Sequence, residues 1–272
     1  MRERSVLLAV IGASLASCGD TAPGFECPAG QACLSPAVKH RAEALISLFE
    51  NGTVEIQYGY SEALGDGRGI TAGKAGFTTA TGDALEVIEL YTAGSPGNAL
   101  AGYLPRLREL EESGSGSTDG LDGYAEAWAA AALDPAFREA QDRVTDELYY
   151  LPAMGYALDL GLELPLSRAV LYDTIIQHGD GENPDGLAAL LSQTLEGEGR
   201  SPADGLDEDV WLRAFLEVRR AVLEHADDPD TREEWAESVP RVEAWAWILD
   251  QGNTGLEGPF VLDSDHYTET IP

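Results

Sequence analysis

The stretch "YSEALGDGRGITAGKAGFTTATGD" (residues 60–83) is the most distinctive part of the chain. It is rich in glycine, carries both acids and cations, and contains no long apolar run. Glycine permits tight turns and close approach of another group to the backbone. A hairpin, a phosphate-binding loop, a metal-binding loop and the wall of a catalytic cleft all have this composition, so the flanking sequence must discriminate among them.

Two of these possibilities fail on spacing. The segment "GDGRGITAGK" (65–74) lacks the GxxxxGK[ST] pattern of a phosphate loop, and its acid would repel phosphate. The acids are not spaced as in a calcium-binding EF-hand loop, which also needs a glutamate at its twelfth position. A hairpin and a cleft wall remain open.

The flanks indicate helices with one small β element. Apolar residues in 37–50 recur on one helical face, and Asn51-Gly52 marks the end of that helix. Residues 53–60 alternate as a strand does, and a helix is predicted to start at residue 83 with Asp83 as its N-cap. Further helices are predicted at 98–112, 122–132, 135–150, 164–178, 184–196, 207–225 and 231–250. Residues 112–120 read as a flexible surface loop, and the predicted fold class is α+β, mainly α.

Composition sets limits on the partners of this chain. It has 272 residues with 44% hydrophobic side chains, which is enough for a substantial core. Its net charge is −31, and only two of its 17 basic residues, Lys39 and Lys74, are lysines. Such a field repels nucleic acids and anionic lipid surfaces and attracts cations. Either a surface adapted to salt or a polycationic substrate explains this acidity.

The N-terminus resembles an export signal. Arg2 and Arg4 precede a short apolar segment (6–16), which is too short to span a bilayer. Cys18 follows "LAS", as in bacterial lipoprotein signals, so we expect a signal peptide at 1–17, a lipid on Cys18 and a flexible tether at 18–36. An ordinary signal peptide that contains a cysteine is the alternative, and both predict an exported protein.

Metal and cofactor sites find little support in the sequence. Cys27 and Cys33 lack the further ligands of a zinc site, but outside the cytoplasm they could close a small disulfide loop. The four histidines show no metal-ligand spacing. We therefore expect no metal ion and no cofactor.

Two carboxylates have environments that differ in the way glycoside hydrolysis requires. Glu50 ends a helix after two apolar residues, and both the helix C-terminus and burial favour its protonated form. Asp66 lies in "GDGRG", where turned backbone N–H groups and Arg68 favour the ionised form. One protonated acid and one ionised base set by opposite environments is the arrangement for glycoside hydrolysis. A helix end and a turn without catalytic roles would look the same locally.

A resemblance to a known family adds to this interpretation. The segment "SLFENGTVEIQYGYSEALGDGRGITAGKAGFTTATGDALEVIELYT" (47–92) resembles the signature region of family 46 chitosanases, especially the Bacillus-type branch. Segments 137–154, 167–186, 205–219 and 230–242 resemble the same family in the same order. The resemblance covers about residues 39–262, and the whole of 37–272 is expected to be the catalytic domain.

The resemblance implies a fold, an activity and a set of site residues. It implies a lysozyme-like, two-lobed α+β fold and endo-hydrolysis of chitosan, the β-1,4 polymer of glucosamine, with inversion. Glu50 then corresponds to the general acid, Asp66 to the general base, and Thr71 to a residue that holds the attacking water. The sugar-contacting positions are Tyr60, Arg68, Thr81 and Asp83. A buried charge network behind the site would comprise Glu62, Asp173, Arg219 and Arg232.

The chain departs from the family at one position. The family often has a substrate-contacting histidine where this chain has Pro229, and the nearest histidine here is His225.

Two other functions are to be considered. A non-catalytic surface protein that binds polycations would need the acidity without Glu50, Asp66 and Thr71 together. A hydrolase of peptidoglycan is disfavoured because the chain lacks a basic surface. We expect a monomer that binds chitosan, does not bind nucleic acid, and contacts a membrane only through a lipid.

Overall fold

The computed structural model describes residues 27, 33–180, 183–226 and 232–272. The expected signal peptide (1–17), Cys18 and most of the tether (18–36) lie outside the described residues, as does Pro229. Cys27 and Cys33 form a disulfide, with their Cα atoms 5.9 Å apart. Among the helices of the described residues, none is long and apolar enough to cross a membrane.

Helix α1 (Pro36–Asn51) brings Glu50 to its position in the fold. Ser35 caps its N-terminus by accepting a hydrogen bond from the Val38 N–H, and Pro36 occupies the first turn, where its missing N–H costs nothing. Gly52 ends the helix in the left-handed conformation with φ of 69°. The predicted helix over 37–50 is therefore confirmed, with Glu50 in its last turn.

The glycine-rich stretch forms a small antiparallel sheet. Strands β1 (Ser61–Ala63), β2 (Ile70–Ala72) and β3 (Phe77–Thr78) lie in that order. Thr71 pairs with Glu62 on one side and with Thr78 on the other. The predicted strand over 53–60 is wrong: this segment is irregular, and the carbonyl of Tyr58 accepts hydrogen bonds from the Trp128 and Gln141 side chains rather than from a strand.

Four helices complete the lobe that contains this sheet. They are α2 (Asp83–Gly94), α3 (Leu104–Ser113), α4 (Tyr124–Ala131) and α5 (Pro135–Thr145), with a 3-10 helix at Ala99–Tyr103 before α3. Phe77, Trp128 and Phe137 are fully buried in their shared core. Burial of each such side chain stabilises the fold by about 1.5–3 kcal/mol. This core is separate from the second one described next.

A long helix joins the two lobes. After α5 the chain makes a π-helical turn (Asp146–Tyr150) and continues as α6 (Leu151–Asp159). Pro152 has no N–H to donate to the preceding turn, and the wider π turn accommodates it. The side chains of α5 pack in the first core, whereas those of α6 pack in the second. The sequence predicted this helix only to residue 150.

The second, larger lobe contains α1, α6 and the rest of the chain. Its further elements are α7 (Pro165–His178), α8 (Leu187–Glu198), a 3-10 helix (Pro202–Asp204), α9 (Glu208–Glu224), α10 (Arg232–Ala236), α11 (Val239–Asp250) and the hairpin β4 (Phe260–Asp263) and β5 (Thr268–Ile271). Its core includes Tyr172, Trp211, Phe215 and Trp245. The predicted α+β, mainly α fold with two lobes is confirmed, while the hairpin was not predicted.

Candidate active site

The Asp66 turn is built from alternating glycines. Gly65, Gly67 and Gly69 have φ angles of 76°, 84° and 84°, a region that side-chain-bearing residues rarely adopt. Asp66 accepts hydrogen bonds from the Arg68 N–H (3.0 Å) and the Arg68 Nε (2.8 Å). These two donors hold the pKa of Asp66 below its usual value. The carboxylate is therefore ionised and partly exposed, as expected of a base.

A second loop supports this turn from outside. Residues 114–118 were expected to be part of a flexible surface loop, but Gly116 packs directly on Gly67. A Cβ atom at residue 116 would lie 1.9 Å from the Gly67 carbonyl oxygen. At Gly69 a Cβ would lie 2.2 Å from the Thr79 Oγ1, so the turn is confined on this side as well. Close approach of the Gly67 backbone at Gly116, and of the Thr79 hydroxyl at Gly69, leaves no room for a side chain at either position.

Glu50 is placed by the larger lobe. Its neighbour Phe49 packs edge-on against Trp245 and Tyr267, with ring centroids 5.6 and 5.1 Å apart. The Glu50 side chain is 42% exposed, and its Oε1 accepts a hydrogen bond from the Arg241 guanidinium. Partial burial beside apolar residues was expected for Glu50, whereas the structure leaves its side chain 42% exposed and in contact with the buried Arg241.

A ladder of buried charges lies behind Glu50. Arg241 Nε donates to Asp173 Oδ1 at 2.8 Å, and Arg219 Nη1 donates to Asp173 Oδ2 at 2.6 Å. Trp245 Nε1 donates to the same carboxylate at 2.8 Å. Burial would raise the pKa of Asp173, but Arg241 and Arg219 outweigh it and hold that pKa below its usual value. The ladder fixes the position of the guanidinium that contacts Glu50.

The predicted charge network needs a correction. The structure brings Asp173 and Arg219 together, both fully buried. Glu62 is instead exposed and accepts a hydrogen bond from Tyr60 Oη at 3.2 Å, because β1 is the edge strand of the small sheet. Arg232 is exposed at the start of α10, and its Nε donates to the Ala226 carbonyl at 2.8 Å. Arg241 contacts both Glu50 and Asp173 and is the network member that the sequence analysis missed.

A signal for Arg241 was present in the sequence. Val242, Trp245 and Leu249 are buried on α11, so the residue next to them belongs to an apolar face. An arginine at the edge of such a face is rarely buried without a partner. The partner carboxylates, Glu50 and Asp173, are far away in the sequence.

Thr71 lies in the middle strand of the small sheet with its side chain buried. Its Oγ1 is among the buried side-chain atoms of the described residues that have no hydrogen-bond partner. An unsatisfied buried hydroxyl costs about 1–3 kcal/mol unless water or a ligand satisfies it. The atom is therefore suited to hold a water molecule.

Two of the predicted sugar-contacting residues, Thr81 and Asp83, lie at the start of α2, whereas Tyr60 immediately precedes β1. Asp83 Oδ1 accepts hydrogen bonds from Thr81 Oγ1 (2.7 Å), the Thr78 N–H (2.8 Å) and the Ala84 N–H (2.9 Å). Burial nevertheless raises the pKa of Asp83. Asp83 is the first residue of α2, whereas the cap position predicted for it is held by Gly82.

An acidic cavity of about 540 Å³ opens beside Asp83. Its acidic lining is Asp83, Glu86, Glu89 and Glu111, and Arg108 is its cation. Arg108 Nη2 lies 2.7 Å from Glu89 Oε1. Burial, together with the neighbouring acids Glu147, Asp83 and Glu89, raises the pKa of Glu86. The cavity therefore suits a polar, cationic ligand.

No group of three or more His, Cys, Asp or Glu side chains that could hold a metal ion occurs within the part of the chain that the structure describes. The chemistry available at the site is that of carboxylates. Asp66 is an ionised carboxylate on the smaller lobe, and Glu50 is a carboxyl group on the larger lobe that solvent can reach. An ionised carboxylate and a carboxyl group that solvent can reach are the two kinds of group that a glycosidase with an acid and a base uses.

The comparisons with known proteins define the class. The profile of Glycosyl hydrolase family 46 matches residues 44–260, so the chain belongs to that family of glycoside hydrolases. A chitosanase of Bacillus subtilis (strain 168) is 54% identical over 229 residues, covering 84% of this chain and 83% of the relative.

Solved structures of chitosanases also superpose on this chain. A mutant chitosanase from Bacillus subtilis MY002, complexed with 6 GlcN, superposes with a TM-score of 0.81 at 51% identity, over 88% of this chain and all of that one. The GH46 chitosanase of Gynuella sunshinyii in complex with chitotetraose gives a TM-score of 0.80 at 47% identity, over 88% and 99% of the two chains.

Proposed function

We propose that this protein is an endo-chitosanase that hydrolyses β-1,4 linkages between glucosamine units with inversion at the anomeric carbon. The observation that carries the proposal is the presence, in a chain of family 46, of two carboxyl groups in different settings: Asp66 is ionised in its glycine turn, and Glu50 is held by Arg241. The similar enzymes crystallised with 6 GlcN and with chitotetraose support the same class of substrate.

Each group has one role in the reaction. Water held at Thr71 Oγ1 attacks the anomeric carbon, and Asp66 takes its proton. The glycosidic C–O bond breaks as Glu50 gives its proton to the leaving oxygen. Inversion needs room for this water, so the two carboxyl groups act at a separation of about 6.5–9.5 Å when substrate is bound.

The contact between Glu50 and Arg241 positions the proposed acid. Asp173 holds the Arg241 guanidinium, and that guanidinium donates to Glu50 Oε1. The Glu50 side chain is 42% exposed, so solvent can reach it between turnovers.

The charge of the chain also supports the proposal. Protonated glucosamine makes chitosan a polycation, and the cavity beside Asp83 presents four carboxyl groups to it. An acidic cleft raises the rate at which a cationic polymer is captured. The predicted contacts from Tyr60, Arg68, Thr81 and Asp83 extend along the same lobe.

Four variants test the proposed roles. Glu50→Gln and Asp66→Asn should each lower chitosan hydrolysis by about 10²–10⁴-fold, the usual contribution of an acid or a base, and Thr71→Ala should lower it less. Glu55→Gln, which changes an exposed glutamate five residues away, is the control and should leave the rate unchanged. Full activity of Glu50→Gln would refute the assignment, and faster hydrolysis of chitin or peptidoglycan than of chitosan would refute the substrate.

We also propose that the protein is exported as a monomeric lipoprotein carrying its lipid on Cys18. The support is the "LASC" sequence after a short apolar segment. One acyl chain binds a membrane only reversibly, so stable attachment needs the several chains of a lipoprotein. Fractionation followed by mass spectrometry of the mature N-terminus tests this, and a soluble protein that starts at another residue would contradict it.

A further inference from the structure

Both lysines of the chain lie where the two lobes meet. Lys74 Nζ lies 3.0 Å from Glu43 Oε1 and 2.6 Å from Asp142 Oδ1, and its side chain is only 4% exposed. Lys39 Nζ lies 2.5 Å from Asp146 Oδ1. The other fifteen residues among the Lys and Arg of the chain are arginines, so both lysines occur at these largely buried positions.

Lys74 connects three elements that carry different parts of the site. It lies in the turn between β2 and β3, three residues after Thr71. Glu43 lies on α1, seven residues before Glu50 and therefore near the same helix face. Asp142 lies on α5, the first half of the helix that joins the lobes.

The backbone of the turn is fastened at the same point. The Lys74 N–H donates to Gln141 Oε1 at 3.2 Å, and a Cβ at Gly73 would lie 2.4 Å from that oxygen. Tyr58 Oη donates to Asp142 Oδ1 at 2.8 Å, and the Lys74 ammonium lies 5.5 Å from the Tyr58 ring centroid. The turn therefore cannot shift relative to α5 without breaking several contacts.

The charges in this cluster depend on one another. Burial would raise the pKa of Glu43, but Lys74 and Lys39 outweigh it and lower that pKa. Burial would likewise lower the pKa of Lys74, but Glu43 and Asp142 raise it well above its usual value. A buried ion pair contributes little net stability compared with apolar packing, but it fixes the separation of its partners. A compact ammonium also fits between two carboxylates where a planar guanidinium would not.

We propose that Lys74 is a positioning residue of the enzyme: its ion pair with Glu43 sets the distance between Thr71 and α1, and hence between the attacking water and Glu50. The proposal rests on the roles proposed above for Glu50 and Thr71. It assigns no contact with substrate to Lys74.

The test uses paired variants of the full enzyme. Lys74→Met alone strands a buried Glu43 carboxylate and can fail to fold, so the informative variant is Lys74→Met with Glu43→Gln. This variant has no stranded charge at Glu43 and should unfold cooperatively, but its kcat on chitosan should fall about 10–100-fold, as expected of a misplacement near 1 Å, with KM little changed.

The matched control is Lys39→Met with Asp146→Asn. This pair is also largely buried and also joins α1 to the interlobe helix. Lys39 Nζ lies 3.6 Å from Glu43 Oε1 as well, but in this variant Glu43 keeps Lys74 at 3.0 Å, and neither Lys39 nor Asp146 contacts the turn that carries Thr71. It should keep kcat. Wild-type kcat in the Lys74–Glu43 variant, or the same loss of kcat in both pairs, would overturn the proposal. Assayed alongside, Glu50→Gln separates this failure from a failure of the proposed mechanism, because a fully active Glu50→Gln contradicts the mechanism itself.

Discussion

Glu50 and Asp66 are held by interactions of different range. Asp66 is fixed by Arg68, two residues away, and by a turn of alternating glycines. Glu50 is fixed by Arg241, 191 residues away, which is itself held by Asp173. The proposed base, Asp66, therefore depends on local backbone geometry, whereas the proposed acid, Glu50, depends on the assembly of the whole larger lobe. Substitutions near Glu50 and substitutions near Asp66 should therefore differ in their effects on stability and on kcat.

The largest expected effect comes from breaking the ladder behind Glu50. Arg219→Ala removes one of the two cations from a fully buried Asp173 and should lower the free energy of unfolding by about 3–5 kcal/mol. Chemical denaturation measures this directly. Arg213→Ala, which breaks an exposed pair with Asp250, is the control and should cost at most about 1 kcal/mol. Equal, small losses of unfolding free energy in both variants would show that the buried Arg219–Asp173 pair does not stabilise the fold to this extent.

Low pH should lower the free energy of unfolding through His178, which lies in the same larger lobe. Burial and the nearby Arg219 lower the pKa of His178 to about 3, whereas an unfolded histidine titrates near 6.5. Below pH 6.5 the unfolded chain therefore binds a proton that the folded chain does not. Stability should fall by about 1.4 kcal/mol per pH unit from pH 6.5 towards 3, or about 2 kcal/mol by pH 5.

Urea unfolding at several pH values measures that slope. His178→Gln should be less stable at neutral pH but should flatten the slope between pH 6.5 and 5. His266→Gln, which removes an exposed imidazole, controls for the general effect of losing a histidine. An unchanged slope in His178→Gln would mean that other groups cause the acid sensitivity.

Adding a single methyl group next to the Asp66 turn should lower kcat. Gly116→Ala would place a Cβ against the Gly67 carbonyl and push the Asp66 turn, and overpacking of this kind costs roughly 1–3 kcal/mol. We expect kcat to fall while the larger lobe keeps its stability. Gly102→Ala, at a glycine with no atom within 4 Å of the added Cβ, is the control. Normal kcat in Gly116→Ala would show that loop 114–118 does not position the turn.

Salt should have the smallest effect, and only on capture of substrate. The attraction between the acidic cavity and a cationic polymer is screened over about 8 Å at physiological ionic strength. We therefore expect kcat/KM to fall from low to moderate salt while kcat changes little. If kcat/KM is flat or rises with salt, the acidity of the chain is better explained as adaptation to salt.

The local part of the site could be predicted from the sequence, whereas the long-range part could not. The helix that ends at Glu50 and the turn around Asp66 follow from periodicity, caps and glycine spacing within a few residues. Arg241 was missed because no local pattern links position 241 to Glu50.

Glu62 and Arg232 show the opposite error: they were predicted to be buried but are exposed. Both were assigned to a buried network by resemblance, yet one lies on an edge strand and the other at the exposed start of a short helix. Burial of a charged side chain is decided by packing between distant elements. The strand predicted at 53–60 failed for a related reason, because the Trp128 and Gln141 side chains take up the Tyr58 carbonyl.

Glu50 and Asp66 are proposed to act as acid and base across a water molecule, and the configuration of the first product distinguishes this mechanism from a retaining one. Proton NMR of the first product formed from chitosan, recorded before mutarotation, reports the configuration at the new anomeric carbon. Inversion gives the α-anomer from the β-linked polymer. A β-anomer would require a nucleophile about 5–5.5 Å from the acid and a covalent intermediate, and it would refute the roles proposed for Glu50 and Asp66.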